Sequence, residues 1–248
     1  MMKPKKIFMI LILILNSSFI FAQNTINELE IKEFFFRKDT VFAYVDENGE
    51  PLGFIDSCYS YIDLSILLIK SKNKTLEDQL NQFVSSHIGV LPNDIDQLKS
   101  YYSSYFPLME EKINMKLNAN NTHFVSLSIY SFYIECSANI ASEMSFFFNY
   151  DISNNKEFKL EDIILNSEMK NIELKCKQIL INDFNKNDLD NYEFFLSDIF
   201  YITGDKIVFY YPKYIIGCGA EGAFEVPILF SEISSSLTET FKKMINNK

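Results

Sequence analysis

Cys218 stands between two glycines in the stretch YYPKYIIGCGAEGAFEVPI, residues 210–228. Three of the chain's seven glycines, Gly217, Gly219 and Gly222, fall within six residues there. A thiol on such a loop could act as a nucleophile if a neighbouring base and an orienting third group activated it. The stretch reads equally as a backbone corner, because glycine permits angles that other residues resist. Cys58, Cys136 and Cys176 complete a set of four cysteines, spaced by 78, 40 and 42 residues. No Cys-x-x-Cys pair occurs, so zinc is not expected. His87 and His123 are the only histidines, and neither sits in a motif. A pairing of Cys218 with His123 is open to the fold and unsupported by any signature. Gly-x-Ser-x-Gly, a phosphate-binding glycine loop and His-Glu-x-x-His are all missing from the sequence. The adjacent carboxylates Glu110-Glu111 and Glu161-Asp162 have a helix-face or capping explanation. Neighbours in sequence say nothing about the spatial pairing that glycoside cleavage needs. The expectation is a protein without catalytic residues, metal or cofactor.

The compartment bears on the cysteines. MMKPKK is basic, Ile7 to Phe21 is apolar but interrupted by Asn16, Ser17 and Ser18, and Ala22 offers a small residue for cleavage. Those are the three parts of a secretory signal. The alternative, an uncleaved anchor, needs about 20 mostly apolar residues. Residues 1–22 are therefore expected to be a signal peptide, leaving an exported chain, periplasmic or extracellular, with no later membrane span. Export permits disulfides among the four cysteines, in three possible complete pairings, and buried free thiols are the alternative. Losing Lys3, Lys5 and Lys6 takes the net charge from −10 to −13. An acidic chain does not suit nucleic acid, whose binding depends on neutralising phosphates. Cationic partners would be drawn to it, although acidity also serves solubility alone.

The elements that must position these residues follow from periodicity. Ile31–Phe36 and Val41–Val45 read as short strands, Asn48-Gly49 as a hairpin turn, and Tyr59–Ile69 as a buried strand. Leu76, Leu80, Phe83, Val84 and Ile88 form a helical stripe, with Thr75 at the N-cap position and Asp78 three residues on. A second helix is expected from Asp94 toward Leu117, bent or split at Pro107. Residues 124–136 alternate as a strand whose apolar parity changes, which predicts a bulge near Ser131. Met144, Phe146, Phe148 and Tyr150 make another apolar face, ending at a turn over DISNN. A helix after LEDIIL places Met169, Ile172, Cys176, Ile179 and Leu180 inward. Strands recur at 199–202, 207–211 and 224–228, and a last helix carries Ile233, Leu237, Phe241 and Met244. Three aromatic triplets each point one ring away from the other two. Phe35 and Phe147 are expected in the core, and Tyr210 with its hydroxyl in water.

Strands and helices do not alternate as βαβ units, and several strand pairs are joined too tightly for a crossover. The expected fold is α+β, with antiparallel sheets, helices packed on one face and two associated subdomains. The boundaries are 23–120 for an N-terminal α/β subdomain and 121–248 for a C-terminal α+β domain, with NANNT at 118–122 as the seam.

The C-terminal half resembles the PdaC/RsiV-like superfamily of bacterial extracytoplasmic domains. The resemblance rests on the strand ending at Asp151, Leu160-x-Asp162 entering a helix, the strand–turn–strand around Gly204, and Pro212-x-Tyr214. The Gly222 corner and Val226-Pro227-Ile228 leading into Ser231-Glu232-Ile233 complete it. It covers roughly 121 to 240, more loosely 31 to 117. One relative is an anti-sigma factor whose outer domain binds lysozyme, and another carries the module beside a peptidoglycan deacetylase domain. Only six residues precede Ile7, too few to hold a sigma factor, and no deacetylase domain follows. The family's frequent Gly-Gly-Ala-His turn is replaced here by Cys136-Ser137-Ala138-Asn139-Ile140. The resemblance implies that Pro212, Tyr214, Gly217, Gly219 and Gly222 form a signature turn. It also implies an exported, non-catalytic binding module of the cell envelope, recognising a protein, lysozyme-like in the sharpest version, or a cell-wall glycan. An envelope hydrolase and a structural envelope component are the alternatives.

Overall fold

The computed structural model describes residues 29–43, 57–88, 95–104, 109–135, 141–186, 189 and 193–246. Strands β1 (Leu29–Ala43) and β2 (Ser57–Ser71) pair antiparallel along their full length. β1 unites the two short strands expected there, while the Asn48-Gly49 turn and the signal segment lie outside the described residues. Helices α1 (Lys74–Ile88) and α2 (Ile95–Ser104) carry the chain back, so that β3 (Met109–Asn120) runs parallel to β2. β4 (Phe124–Glu135), β5 (Ser142–Asp151) and the short β6 (Lys156–Glu157) then add antiparallel. The six strands lie in sequence order across one sheet. After the single turn α3 (Leu160–Ile163) and helix α4 (Met169–Phe184), strands β7 (Phe200–Thr203), β8 (Lys206–Tyr211) and β9 (Phe224–Leu229) form a second, antiparallel sheet. Helix α5 (Glu239–Asn246) closes the chain. The fold is α+β, with the β2–β3 crossover as the one parallel pairing among the described strands.

Several local readings change, each for a physical reason. The expected helix from Asp94 to Leu117 ends at Ser104, and its second half is β3. Ile113 and Met115 are buried while Asn114 and Lys116 are exposed, a period of two that no helical stripe satisfies. Glu110 and Glu111 consequently lie on a strand, not a helix face. The N-cap of α1 is Asn73 rather than Thr75: its Oδ1 accepts from Leu76 N at 3.2 Å, and Glu77 accepts from Ser71 N at 2.7 Å. No register shift occurs near Ser131; the irregularity sits in β3, between Leu117 and Ala119. The last helix is shorter than its apolar spacing suggests. Ile233 falls in a 3-10 turn, and Leu237 makes a bridge to Ile164 before Thr238 caps α5 by accepting from Phe241 N at 3.2 Å.

The two faces of β4 meet different surroundings. Val125, Leu127 and Ile129 point into a first core with Ile62, Leu64, Leu80, Val84 and Phe148. Phe124, on the opposite face, belongs to a second core with Ile172, Leu180, Ile202, Phe209, Val226 and Phe241. The strand is buried on both sides only at its start, where the smaller sheet lies against Phe124 and Ser126; Phe132 and Ile134 are half-buried and lie in neither core. The expected seam at 118–122 is the turn between β3 and β4, inside the larger sheet. The structural division runs between the two cores instead, across β4.

Candidate functional site

The glycine segment is the connection from β8 to β9, and its conformation is pinned at three points. Glu221 reaches back to accept from Cys218 N at 2.8 Å, closing one turn of 3-10 helix over Gly219–Glu221. The Glu221 carboxylate also pairs with Lys186, a buried lysine whose Nζ lies 4.9 Å from the Phe224 ring centroid. That ammonium and then the Cys218 N–H hold the Glu221 carboxyl below the usual carboxylate range. Gly222 has φ 79° and ψ −158°, a region open almost only to glycine. A Cβ on Gly219 would collide with the Tyr214 ring, and one on Gly217 with the Glu221 carboxylate. Gly222→Ala should cost about 1–3 kcal/mol from backbone strain alone, since nothing lies within 4 Å of its added methyl. Chemical denaturation would measure it.

Among the described residues, the titratable side chain beside the Cys218 thiol is Glu221, which is paired with Lys186. Cys218 is exposed and unbridged, and Cys176 is buried and unbridged. Burial pushes the Cys176 thiol up to about 12, beside Tyr211. The Cys58 side chain and all of Cys136, with the 137–140 turn, lie outside the described residues. His123 is elsewhere, with Nδ1 3.4 Å from Ser153 Oγ. His87 is held by its own helix, Nδ1 2.7 Å from Phe83 O, with its ring 4.0 Å from that of Phe146. Asp162 caps α3 by accepting from Lys159 N at 2.9 Å, and Glu110 pairs with Lys112 at 2.6 Å. Burial raises the Glu111 carboxyl. Among the described residues, no group of three His, Cys, Asp or Glu side chains could hold a metal, and no helix is long and apolar enough to cross a membrane.

What the loop does build is surface. Tyr214 is held at φ 69° with 76% of its surface exposed, although a bulky residue rarely adopts that conformation. With Ile215 and Phe195, about half exposed, it rims a groove of about 810 Å³ floored by Lys186 and Ile216. On its other side the loop walls a cleft of about 700 Å³ against β4 and β5. There Tyr130 donates to Glu143 Oε1 at 2.9 Å, and Lys213 pairs with the other carboxylate oxygen. Tyr130 pairs with Ser145 across β4 and β5, so Glu143 is its diagonal neighbour on one face. Behind this wall Phe147 stacks on Tyr201, centroids 5.1 Å apart at 8°, and meets Tyr210 at 4.9 Å. Tyr201 donates to Glu225 at 3.2 Å. Of the three middle aromatics, Phe147 is thus covered by the second sheet and Tyr210 is half-buried. Phe35, expected in the core, is 40% exposed.

Residues 72–231 match a family described as a protein of unknown function, DUF3298. The chain belongs to the DUF3298 family. Its match begins ahead of α1 and runs through β9. Two solved members share the DUF3298 fold. One, from Bacteroides fragilis NCTC 9343, is 17% identical with a TM-score of 0.62, over 87% of this chain and 96% of its own. The other, from Pseudomonas aeruginosa PAO1, is 15% identical with a TM-score of 0.55, over 84% and 95%. No curated protein matches the sequence. Within the DUF3298 domain, Pro212, Tyr214, Gly217, Gly219 and Gly222 come together in one loop, as their spacing suggests. Lys186, Tyr130 and Glu143 had no sequence signal, since only strand pairing and the fold of α4 bring them to that loop.

The Tyr130–Glu143–Lys213 triad carries a pH signature. Lys213 first, then Tyr130, hold the Glu143 carboxyl below its usual 4.5. A depressed folded-state pKa contributes stability that is fully present above the unfolded value and lost as pH falls through the folded one. Glu143→Gln should therefore be less stable than the wild type near neutral pH, with the gap steady down to about pH 5 and closing as pH falls below about 4. Thermal melts in matched buffers would record it.

Proposed function

We propose that this chain is an exported, non-catalytic binding module of the bacterial cell envelope, PdaC/RsiV-like in kind, that recognises a protein or a cell-wall glycan. The observation that carries the reading is Tyr214. A bulky aromatic in left-handed backbone, 76% exposed and with its ring folded onto Gly219, is costly to maintain for folding alone. Strain of this kind concentrates at functional surfaces, and exposed aromatic and aliphatic side chains beside a concave surface are what partners bury. The clamp of Lys186 and Glu221 holds this edge in place before any partner arrives, which lowers the ordering cost of binding. The net charge of −10 favours a cationic partner, and a lysozyme-like protein is the sharpest candidate. The basic, apolar and small-residue start of the chain supports export.

The test is a pull-down of a cationic lysozyme by the purified chain at low and moderate salt, with Tyr214→Ala as the comparison. The expected result is capture that weakens with salt and falls at least several-fold in the variant. Absence of capture at both salts counts against the lysozyme version, and capture unaffected by Tyr214→Ala counts against this surface.

A further inference from the structure

The cleft on the other side of the loop has a chemistry of its own. Its β4–β5 wall carries Tyr130, Glu143 and, from the loop, Lys213. Glu143 is satisfied twice, by the Tyr130 hydroxyl and by the Lys213 ammonium, so this wall presents no net charge. It is not inert. Lys213 and Glu143 are each 31% exposed, an ammonium has three donors, and carboxylate and phenol oxygens keep spare lone pairs. The facing wall adds the half-buried Tyr210 ring and the exposed Glu225 carboxylate. Pro212 and Ala223 supply an apolar edge.

We propose that this cleft binds one or two units of a neutral saccharide, with the apolar faces of the sugar rings against Tyr130, Tyr210 and Pro212, and its hydroxyls on Glu143, Lys213 and Glu225. The alternatives fit less well. A cationic group could reach Glu225 but would have to settle facing the Lys213 ammonium, with the Glu143 carboxylate already neutralised. An anion would meet Glu225 and find the one ammonium engaged. A purely apolar ligand would strip water from Lys213 and Glu143 without replacing its hydrogen bonds, which is unfavourable. A neutral polyhydroxylated ring supplies donors and acceptors together, and it has the C–H faces that aromatic side chains cover. The volume of about 700 Å³ lies within the usual range of small-molecule sites. The inference deepens the binding-module reading by assigning its glycan arm to this cleft, separate from the Tyr214 rim.

Isothermal titration of the full chain with a β-1,4-linked N-acetylglucosamine tetramer, its de-N-acetylated cationic counterpart and a tetralysine peptide is the test. The neutral tetramer should bind, the two cationic probes at least about tenfold more weakly. Tyr130→Ala and Lys213→Met should each weaken the neutral tetramer by about tenfold, while Leu174→Ala, on the exposed face of α4, leaves it unchanged. Lys213 lies in the loop outside both cores, so that variant keeps the test open if Tyr130→Ala fails to fold. Tighter binding of either cationic probe, binding indifferent to Tyr130 and Lys213, or no binding of the tetramer overturns the assignment. Since the lysozyme pull-down reads a different surface, failure here leaves the binding-module reading to be decided by that experiment.

Discussion

Phe241→Ala is expected to lower the unfolding free energy by about 3–5 kcal/mol, the range for deleting a buried phenylalanine. Phe241 is fully buried at the start of α5. Its ring packs against Phe124 at 5.8 Å, Phe158 at 5.9 Å and Phe230 at 5.2 Å, the last two edge-on. Edge-on aromatic contacts add about 0.5–1.5 kcal/mol beyond area burial, and three rings around one cavity cannot all close on it. Phe124 comes from β4 and Phe230 from the turn after β9, so the cluster fastens α5 to both sheets. Urea unfolding should show a lower midpoint with an unchanged slope. A loss under about 1 kcal/mol would show that the site collapses freely and the cluster does not define the second core.

The second large effect is polar. Asn149→Leu should cost about 2–4 kcal/mol, because it leaves buried groups without partners rather than merely removing one hydrogen bond. Asn149 and Ser126 are both buried. Ser126 Oγ donates to Asn149 Oδ1 at 2.7 Å, Asn149 Nδ2 donates to Phe200 O at 2.8 Å, and Ile202 N donates to Ser126 Oγ at 3.1 Å. This chain of three bonds joins β4 and β5 to β7, where one sheet lies on the other. A leucine has similar volume and satisfies none of it. Ser126→Ala should cost a similar amount, and the double variant less than the sum, since both singles break one network. Strict additivity in that cycle would count against the network. The junction also seats Phe147 against Tyr201 and Tyr210 behind the cleft, so Asn149→Leu should loosen the cleft as well as the fold.

Much of the C-terminal half was legible residue by residue. The stripe of Ile172, Cys176 and Leu180 is buried in α4, the Gly204 turn joins β7 to β8, and Phe224, Val226 and Ile228 alternate inward on β9. These elements each meet one core on one face, so a single period describes them. Reading failed where that condition fails. β4 carries apolar residues on both faces, and its change of parity mimics a bulge although the register with β3 and β5 is unbroken at Ser131. β3 follows α2 so closely in sequence that KINMKLN, an alternating run, was absorbed into the helix. Thr75 is a good cap by type, but Asn73 is the residue whose side chain the chain direction brings over the first turn.

The glycine segment shows where the division lies. Sequence alone determined that residues 212–222 form a corner, because glycine spacing and Pro212 restrict backbone angles locally, and local sterics are written in residue type. Sequence alone likewise determined the α+β class, since apolar period is a property of each segment. Tertiary structure decided what the corner is for. Gly217 and Gly219 leave room for the Glu221 carboxylate and the Tyr214 ring that fold back on them, and only Gly222 is required by its own φ. Lys186, thirty-five residues before Glu221, and Glu143, seventy before Lys213, reach the loop through helix packing and strand register. Those are long-range contacts, chosen by the global packing of two cores, and no spacing along the chain encodes them.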